Sequence, residues 1–260
     1  MFNNMKILPI QSTPQFRSCA RRYPAGFEND SIIRLGQVLT NTSVFREDLD
    51  WNFLADYIVK NFKDKKRFNT HCLACSDGSE PYSFAISLME RIPDKEYDKY
   101  FPIYASDADY ESIRAAESGR INLTVMDSMK IADNVKSGRE YFIDNQKPIM
   151  IKNNKTPTGY FYQSYKPIEK LKNAVIFEQA DLMKKIKLIR DEGNSLILMR
   201  NVALYLKSGA IKEIAKIAGE VLKKGSLFAA GEYDLQRSYL IEELLQNGFK
   251  EIKPFILKKI

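Results

Sequence analysis

Histidine and cysteine are scarce in this chain. One histidine, His71, and three cysteines, Cys19, Cys72 and Cys75, stand in 260 residues. Cys72-Leu73-Ala74-Cys75 has the C-x-x-C spacing with His71 beside it, but a metal or redox site needs more ligands or a helix N-terminus. The pair closes an apolar stretch, so packing is its expected role. So few cysteines fit a reducing compartment, and a cytoplasmic location is expected. No apolar run reaches the roughly eighteen residues of a membrane span, so no membrane insertion is expected. The opening Met1–Ile10 lacks a basic region followed by a long apolar core, unlike a secretory signal.

What is present is a large apolar complement. Hydrophobic residues make up 44% of the chain, enough for a real core, and the length suits one large domain with a small appendage. The net charge of +7 points to an acidic partner. Nucleic acid and a glutamate-rich helical protein are the candidates. The cations are scattered through Arg17, Arg21 and Arg22, Lys60 to Arg67, Lys184 to Lys187, Lys223-Lys224 and Lys258-Lys259. No basic stripe interleaved with aromatics stands out, so nucleic acid is not expected.

Residues 1–37 carry little periodicity and are broken by Pro9, Pro14, Pro24 and Gly26. Residues 50–63 predict an amphipathic helix with Trp51, Leu54, Ile58 and Phe62 on one face. Residues 139–172 read as an inserted β piece. It comprises Arg139–Ile143, Pro148–Ile151, a turn around Pro157 and Gly159, and the aromatic run Tyr160–Tyr165. Val175–Glu178 predicts a strand, Ser195–Met199 a central parallel strand, Lys207–Leu222 a helix and Gly225–Ala230 another strand. A helix over Leu235–Gln246 is stopped by Asn247-Gly248, and one strand over Phe249–Lys258 closes the chain. Alternation of strand and helix predicts a doubly wound, mostly parallel α/β sheet with helices on both faces.

The most informative stretch is Cys75-Ser76-Asp77-Gly78-Ser79-Glu80-Pro81-Tyr82-Ser83. A strand precedes it and a helix pattern with Phe84, Ile86, Leu88 and Met89 follows. Strand, glycine turn and helix N-terminus form the place where α/β proteins hold nucleotides, with Glu80 at its mouth. About twenty-six residues on, Phe101–Asp107 repeats an apolar strand ending in an acid. Such an acid can accept from both ribose hydroxyls. Asp109, just before Tyr110-Glu111-Ser112-Ile113, is the better helix cap, which leaves Asp107 for the ribose.

Five blocks taken together resemble one family. Thr42-Ser43-Val44-Phe45-Arg46-Glu47 is similar to T-x-F-F-R-D/E. Ser76–Ser83 is similar to S-T-G-E-E-P-Y-S. Ala105–Asp109 is similar to A-S/T-D-I-D/N, and Ser118-Gly119-Arg120-Ile121 to the A-x-x-G-x-Y segment that follows. Met199-Arg200-Asn201-Val202-Ala203-Leu204-Tyr205-Leu206 is similar to C-R-N-V-L/M-I-Y-F. Over about residues 38–258, in family order, the chain resembles the CheR family of S-adenosylmethionine-dependent protein-glutamate O-methyltransferases. Departures include Asp77 and Ser79 in the turn, Val44 for a Phe, and Met199 for a Cys. Gly231-Glu232-Tyr233-Asp234 stands where the family has G-H/S-S/T-E. They mark a distant branch.

The resemblance implies a class I methyltransferase-like fold over residues 38–260. Residues 1–37 would be a remnant of a helical domain, and the insertion at about 139–172 a possible edge for docking a receptor tail. S-adenosylmethionine is the implied cofactor and S-adenosylhomocysteine the product. Thr42, Arg46, Glu80, Asp107, Asp181, Leu182, Arg200 and Asn201 are the implied cofactor residues. Glu80 would meet the ammonium, Asp107 the ribose, and Asp181 and Leu182 the adenine pocket. Arg46, Arg200 and Tyr205 are the implied catalytic residues: Arg46 a cation near cofactor and acceptor, Arg200 a clamp on the acceptor carboxylate, Tyr205 a guide for the acceptor. No metal is implied. The implied partner is a glutamate-bearing protein of the methyl-accepting chemoreceptor class, met by a monomer. Two other readings stand beside it: a methyltransferase on RNA or a small molecule, and a cofactor-binding module without catalysis. The base-amine signature D/N-P-P-Y/F is missing, with Arg200-Asn201-Val202 at that strand end instead.

Overall fold

The computed structural model describes residues 42–119, 121–144, 149–151, 160–236 and 238–260, with backbone alone at 122, 149–151 and 160–163. The expected segment 1–37 lies outside the described residues. The chain enters through a loop and forms α1 (Trp51–Asn61), whose first turn is capped by Asp50 Oδ1 accepting from the Phe53 N–H at 2.9 Å. Next come β1 (Asn69–Leu73), α2 (Ser79–Met89), a short α3 (Tyr97–Tyr100) and β2 (Ile103–Asp107). Asp109 caps α4 (Tyr110–Glu117), accepting from the Ser112 N–H. It therefore does the capping expected of it and leaves Asp107 to other partners.

A second, smaller sheet follows. It contains β3 (Ile121–Leu123), β4 (Phe142–Asp144), β5 (Ile149–Ile151) and β6 (Tyr160–Pro167), with α5 (Val125–Asn134) between β3 and β4. The long β6 pairs antiparallel with each of the other three. This sheet reaches back to β3, ahead of residue 139. Arg139–Tyr141 is not strand: Arg139 donates to the Met89 carbonyl, and Tyr141 donates to Glu90.

The chain then returns to the main sheet through α6 (Glu169–Lys172), β7 (Val175–Gln179), α7 (Leu182–Lys187) and β8 (Ser195–Leu198). It finishes with α8 (Ser208–Val221), β9 (Leu227–Ala229), α9 (Glu232–Gln236), α10 (Leu240–Gln246), β10 (Phe249–Lys253) and β11 (Ile256–Lys259). The seven strands lie in the order β10-β11-β9-β8-β1-β2-β7. All neighbours from β9 to β7 are parallel, while β11 runs antiparallel to both β9 and β10.

Two expectations need correction. The single helix over Leu235–Gln246 is two, α9 and α10. Ser238 Oγ donates to the Asp234 carbonyl and accepts from the Leu240 N–H, so a side chain replaces the helical ladder there. The single closing strand is a hairpin. Pro254 offers no N–H, and Phe255 turns the chain with φ +67°, its N–H donating to Glu251 at 3.0 Å. That reversal is what lets β11 enter between β9 and β10.

Strand alternation makes two cores. Leu196, Leu198, Leu227 and Ala229 pack with Leu54, Ile58, Phe84 and Leu88 on one face. Ile197, Met199, Phe228 and Leu257 pack with Ile211, Ile214, Ala218 and Leu244 on the other. Each such side chain contributes about 1.5–3 kcal/mol on burial. Because helices cover both faces, binding groups are left to the strand ends.

His71 belongs to this interior and not to a site. Its ring stacks on Tyr104 at 5.7 Å, and Nδ1 is buried without a hydrogen-bond partner. Its pKa is lowered from 6.5 to about 4, by burial first and by the Lys185 ammonium second. Between those values the unfolded chain binds a proton that the folded chain refuses, so this stability is lost as pH falls from 6.5 to about 4. The imidazole resonances of this sole histidine are expected to titrate with a midpoint of about 4, and the urea midpoint to fall over that window less in His71→Phe than in the parent. A midpoint at the free-histidine value would contradict the burial argument.

Candidate active site

The turn after β1 is built by backbone conformation. Ala74, Ser76 and Gly78 have φ of +59°, +51° and +89°. Left-handed backbone at the first two costs on the order of 1 kcal/mol each, and such strain collects at functional loops. Asp107 at the end of β2 offsets part of that cost: its Oδ2 accepts from the Ser76 N–H at 2.8 Å and its Oδ1 from Asp109 N–H at 2.9 Å. Burial pushes the Asp107 carboxyl up, with these N–H donors acting against it. Gly78 must be glycine twice over. Its φ is left-handed, and a Cβ there would meet the Phe177 ring at 2.9 Å. Asp77 Oδ1 accepts from the Ser79 N–H at 2.9 Å, which starts α2.

Residues 42–50 are fastened to α2 from outside the sheet. The Phe45 N–H donates to Ser83 Oγ at 2.8 Å, and the Phe45 ring meets Trp51 edge-on. Trp51 Nε1 donates to the Arg46 carbonyl at 2.9 Å. These contacts deliver Arg46 and Asp48 to the end of β8.

There the site gathers around Arg200. Its side chain is 0% exposed. One terminal nitrogen donates to Glu80 Oε2 at 2.9 Å and the other to Asp48 Oδ1. The guanidinium also lies over the Trp51 ring, 4.8 Å from its centroid. Where a clamp on an outside carboxylate was expected of Arg200, the carboxylates beside it in this structure are the chain's own. Its bidentate capacity is spent on two carboxylates of the chain itself. Glu80 faces Cys72 with its other oxygen at 3.5 Å. Burial pushes the Glu80 carboxyl up and Arg200 opposes that.

Asp48 and Asp234 hold the site together, and neither was among the expected site residues. Asp48 Oδ2 accepts from Asn201 Nδ2 at 2.8 Å and from the Glu232 N–H at 3.1 Å. Asp234, fully buried, accepts from the N–H groups of Asn201, Val202, Ala203 and Gly231. It holds the turn that carries Tyr205, half-buried at the end of Ala203–Tyr205. Asn201, at φ +57°, lies so close to Gly231 that any Cβ there would fall within 2.4–2.5 Å of its amide. The acid three residues after Gly231, behind an apolar strand, was the available signal for Asp234. Asp48 had none beyond its place beside Arg46 and Glu47.

The remaining expected residues take their places as follows. Arg46 is 25% exposed, 4.0 Å from Asp48 Oδ1, with its guanidinium 5.7 Å from the Tyr233 ring centroid. Asp181 caps α7, accepting from the Lys184 N–H at 2.9 Å, and Leu182 opens that helix. Thr42, the first described residue, is half-buried. The structure thus joins Arg46, Glu80, Arg200 and Asn201 through Asp48, sets Asp107 against the β1 turn, and leaves Asp181–Leu182 at the edge strand. The thiols of Cys72 and Cys75 are buried and pushed well up, by burial before all else, and neither is a poised nucleophile. No cluster of metal-ligating side chains occurs among the described residues.

The family described as CheR methyltransferase, SAM binding domain, matches residues 40–239. A chemotaxis protein methyltransferase of Listeria innocua is 24% identical over 193 residues, 73% of this chain and 63% of that protein. Chemotaxis protein methyltransferase 2 of Pseudomonas aeruginosa is 25% identical over 210 residues, 80% of this chain and 68% of that one. The chain thus spans somewhat under two thirds of the Listeria protein. Among solved structures, the magnesium protoporphyrin IX methyltransferase of Synechocystis PCC 6803 with bound SAM aligns over 80% of this chain and 74% of that one. The identity is 10% and the TM-score 0.36, a likeness too low to carry any functional argument.

The buried pairing of Arg200 has a direct consequence for stability. Arg200→Ala leaves Asp48 and Glu80 desolvated without their cation, a loss of about 3–5 kcal/mol. Urea unfolding without any ligand is expected to show it. An unchanged midpoint would restore the outside-clamp role.

Proposed function

The chain belongs to the CheR methyltransferase family, and on that premise we propose that it transfers a methyl group from S-adenosylmethionine to glutamate side chains of a protein, of the methyl-accepting chemoreceptor class. S-adenosylmethionine is the cofactor of the matched domain. When bound, it supplies a methyl group on a positively charged sulfur.

The residues present fit that cofactor. Glu80, Asp107 and the Asp181–Leu182 pair stand at or just beyond the C-terminal ends of β1, β2 and β7, the switch-point edge of a doubly wound sheet. Each Asp107 oxygen takes one backbone N–H and keeps acceptor capacity for a ribose hydroxyl. Glu80 keeps a partly exposed carboxylate for an ammonium. Asn201 and Thr42 complete the cofactor set in this reading.

The observation that carries the proposal is a site of placed charges with neither an exposed histidine nor an exposed thiol among the described residues. The only histidine is a sheet residue with a lowered pKa, and the two thiols in reach are buried. A glutamate acceptor needs neither. With a reference pKa of about 4.3 it is ionised near neutrality and attacks without a general base. What the chain must do is orient and desolvate that carboxylate, and such alignment can lower a barrier by several kcal/mol. Arg46, partly exposed and backed by Tyr233, is the cation that faces the acceptor. Tyr205, in the turn fixed by Asp234, orients it. The net charge of +7 favours an acidic partner.

Calorimetry with S-adenosylhomocysteine is expected to give micromolar binding to the parent and at least about tenfold weaker binding to Asp107→Ala. Incubation of chemoreceptor cytoplasmic fragments with methyl-labelled S-adenosylmethionine is expected to yield alkali-labile label on glutamates. Binding without such label, while RNA or small molecules become labelled, would move the acceptor to another class. Binding with no methyl transfer at all would leave a cofactor-binding module.

A further inference from the structure

We propose that Glu80, Arg200, Asp48 and Arg46 form one chain of alternating charge, and that Asp48 is the positioning residue through which the cofactor end of the site controls the acceptor end. The inference rests on the methyl-transfer reading, in which Glu80 faces the cofactor ammonium and Arg46 the acceptor carboxylate.

The geometry has an asymmetry that makes such control possible. Arg200 divides its terminal nitrogens between Glu80 and Asp48, and its side chain is wholly buried. The Asp48 oxygen that takes Arg200 is the same Oδ1 that stands 4.0 Å from Arg46 Nε. The inner pairs are close and mostly buried, while the outer pair is long and more exposed. Asp48 cannot swing after Arg46, because its Oδ2 is held by Asn201 Nδ2 and the Glu232 N–H. Its charge can be shared differently, but its position is set.

An ammonium arriving at Glu80 competes with Arg200 for that carboxylate. Arg200 then leans more fully on Asp48, and Asp48 holds Arg46 less. An incoming carboxylate then meets a cation less neutralised by Asp48. Linkage makes the effect mutual: a carboxylate at Arg46 tightens the cofactor by the same factor. One unit charge acting through a buried array is worth about tenfold in affinity.

The test compares S-adenosylhomocysteine with its desamino analogue, which keeps adenosine, sulfur and carboxylate but lacks the ammonium. Calorimetry on the 260-residue chain gives the ratio of the two affinities. Asp48→Asn pushes Arg200 onto Glu80 and is expected to weaken S-adenosylhomocysteine about tenfold while sparing the analogue, so the ratio falls. Arg46→Gln lets Asp48 draw Arg200 away from Glu80, so the ratio rises. A merely structural Asp48 would weaken both ligands alike. Equal losses, or ratios that move in the same direction in the two variants, overturn the proposal. Should Asp48→Asn fail to fold, an unchanged ratio in Arg46→Gln overturns it alone. If the parent binds neither ligand, the cofactor reading itself falls, an outcome distinct from a failed relay.

Discussion

The desolvated guanidinium of Arg200 is the constraint on which the site depends. A cation with no exposed side-chain surface costs several kcal/mol in solvation unless close partners replace the lost water. Here the partners come from separate parts of the chain: Asp48 from the loop before α1, Glu80 from the first turn of α2, and the Trp51 ring from α1 itself. Arg200 therefore brings two sequence-distant segments, the entry to α1 and the first turn of α2, to one strand end. Its Nε stays buried without a partner, a debt the two carboxylates and the aromatic face must offset.

Around that cation, the loops are held by backbone donors and side-chain acceptors. Asp107 fixes the turn after β1, Asp234 the turn after β8, and Ser83 the entry of Phe45. Each uses a short acceptor to satisfy N–H groups that no ladder reaches. Tight turns at Ala74, Ser76 and Asn201 are tolerable for that reason. Their cost is local and their partners are fixed by the sheet beneath. In the methyl transfer proposed above, turns held in this way serve the alignment of the reacting groups.

Much of the architecture was legible before any coordinates. The uninterrupted apolar run at Ser195–Met199 can only be a strand covered on both faces, and β8 is that strand. The glycine turn, the acid ending the second strand and the Arg200-Asn201 pair were each readable as standing at strand ends, and they do. The errors came where hydrophobic period is blind. Nothing in the period of Leu235–Gln246 reveals that Ser238 breaks the helical ladder, and nothing in Phe249–Lys258 weighs Pro254 against the apolar residues flanking it. Ile121–Leu123 is too short a strand to announce that it completes the second sheet.

What the residues alone determined was chemical type and strand-end position: which acids, cations and small residues stand where a doubly wound fold opens. That follows because secondary structure is written locally, in periods of two and 3.6 residues. Only tertiary structure decided who pairs with whom. Arg200 and Asp48 are 152 residues apart, a separation across which no local pattern carries information. Read in one dimension, Arg200 was a cation free to seize a substrate. Folded, it is the internal counter-ion of two carboxylates, because burial in a low-dielectric strand end makes an unpaired charge the costliest thing a chain can keep.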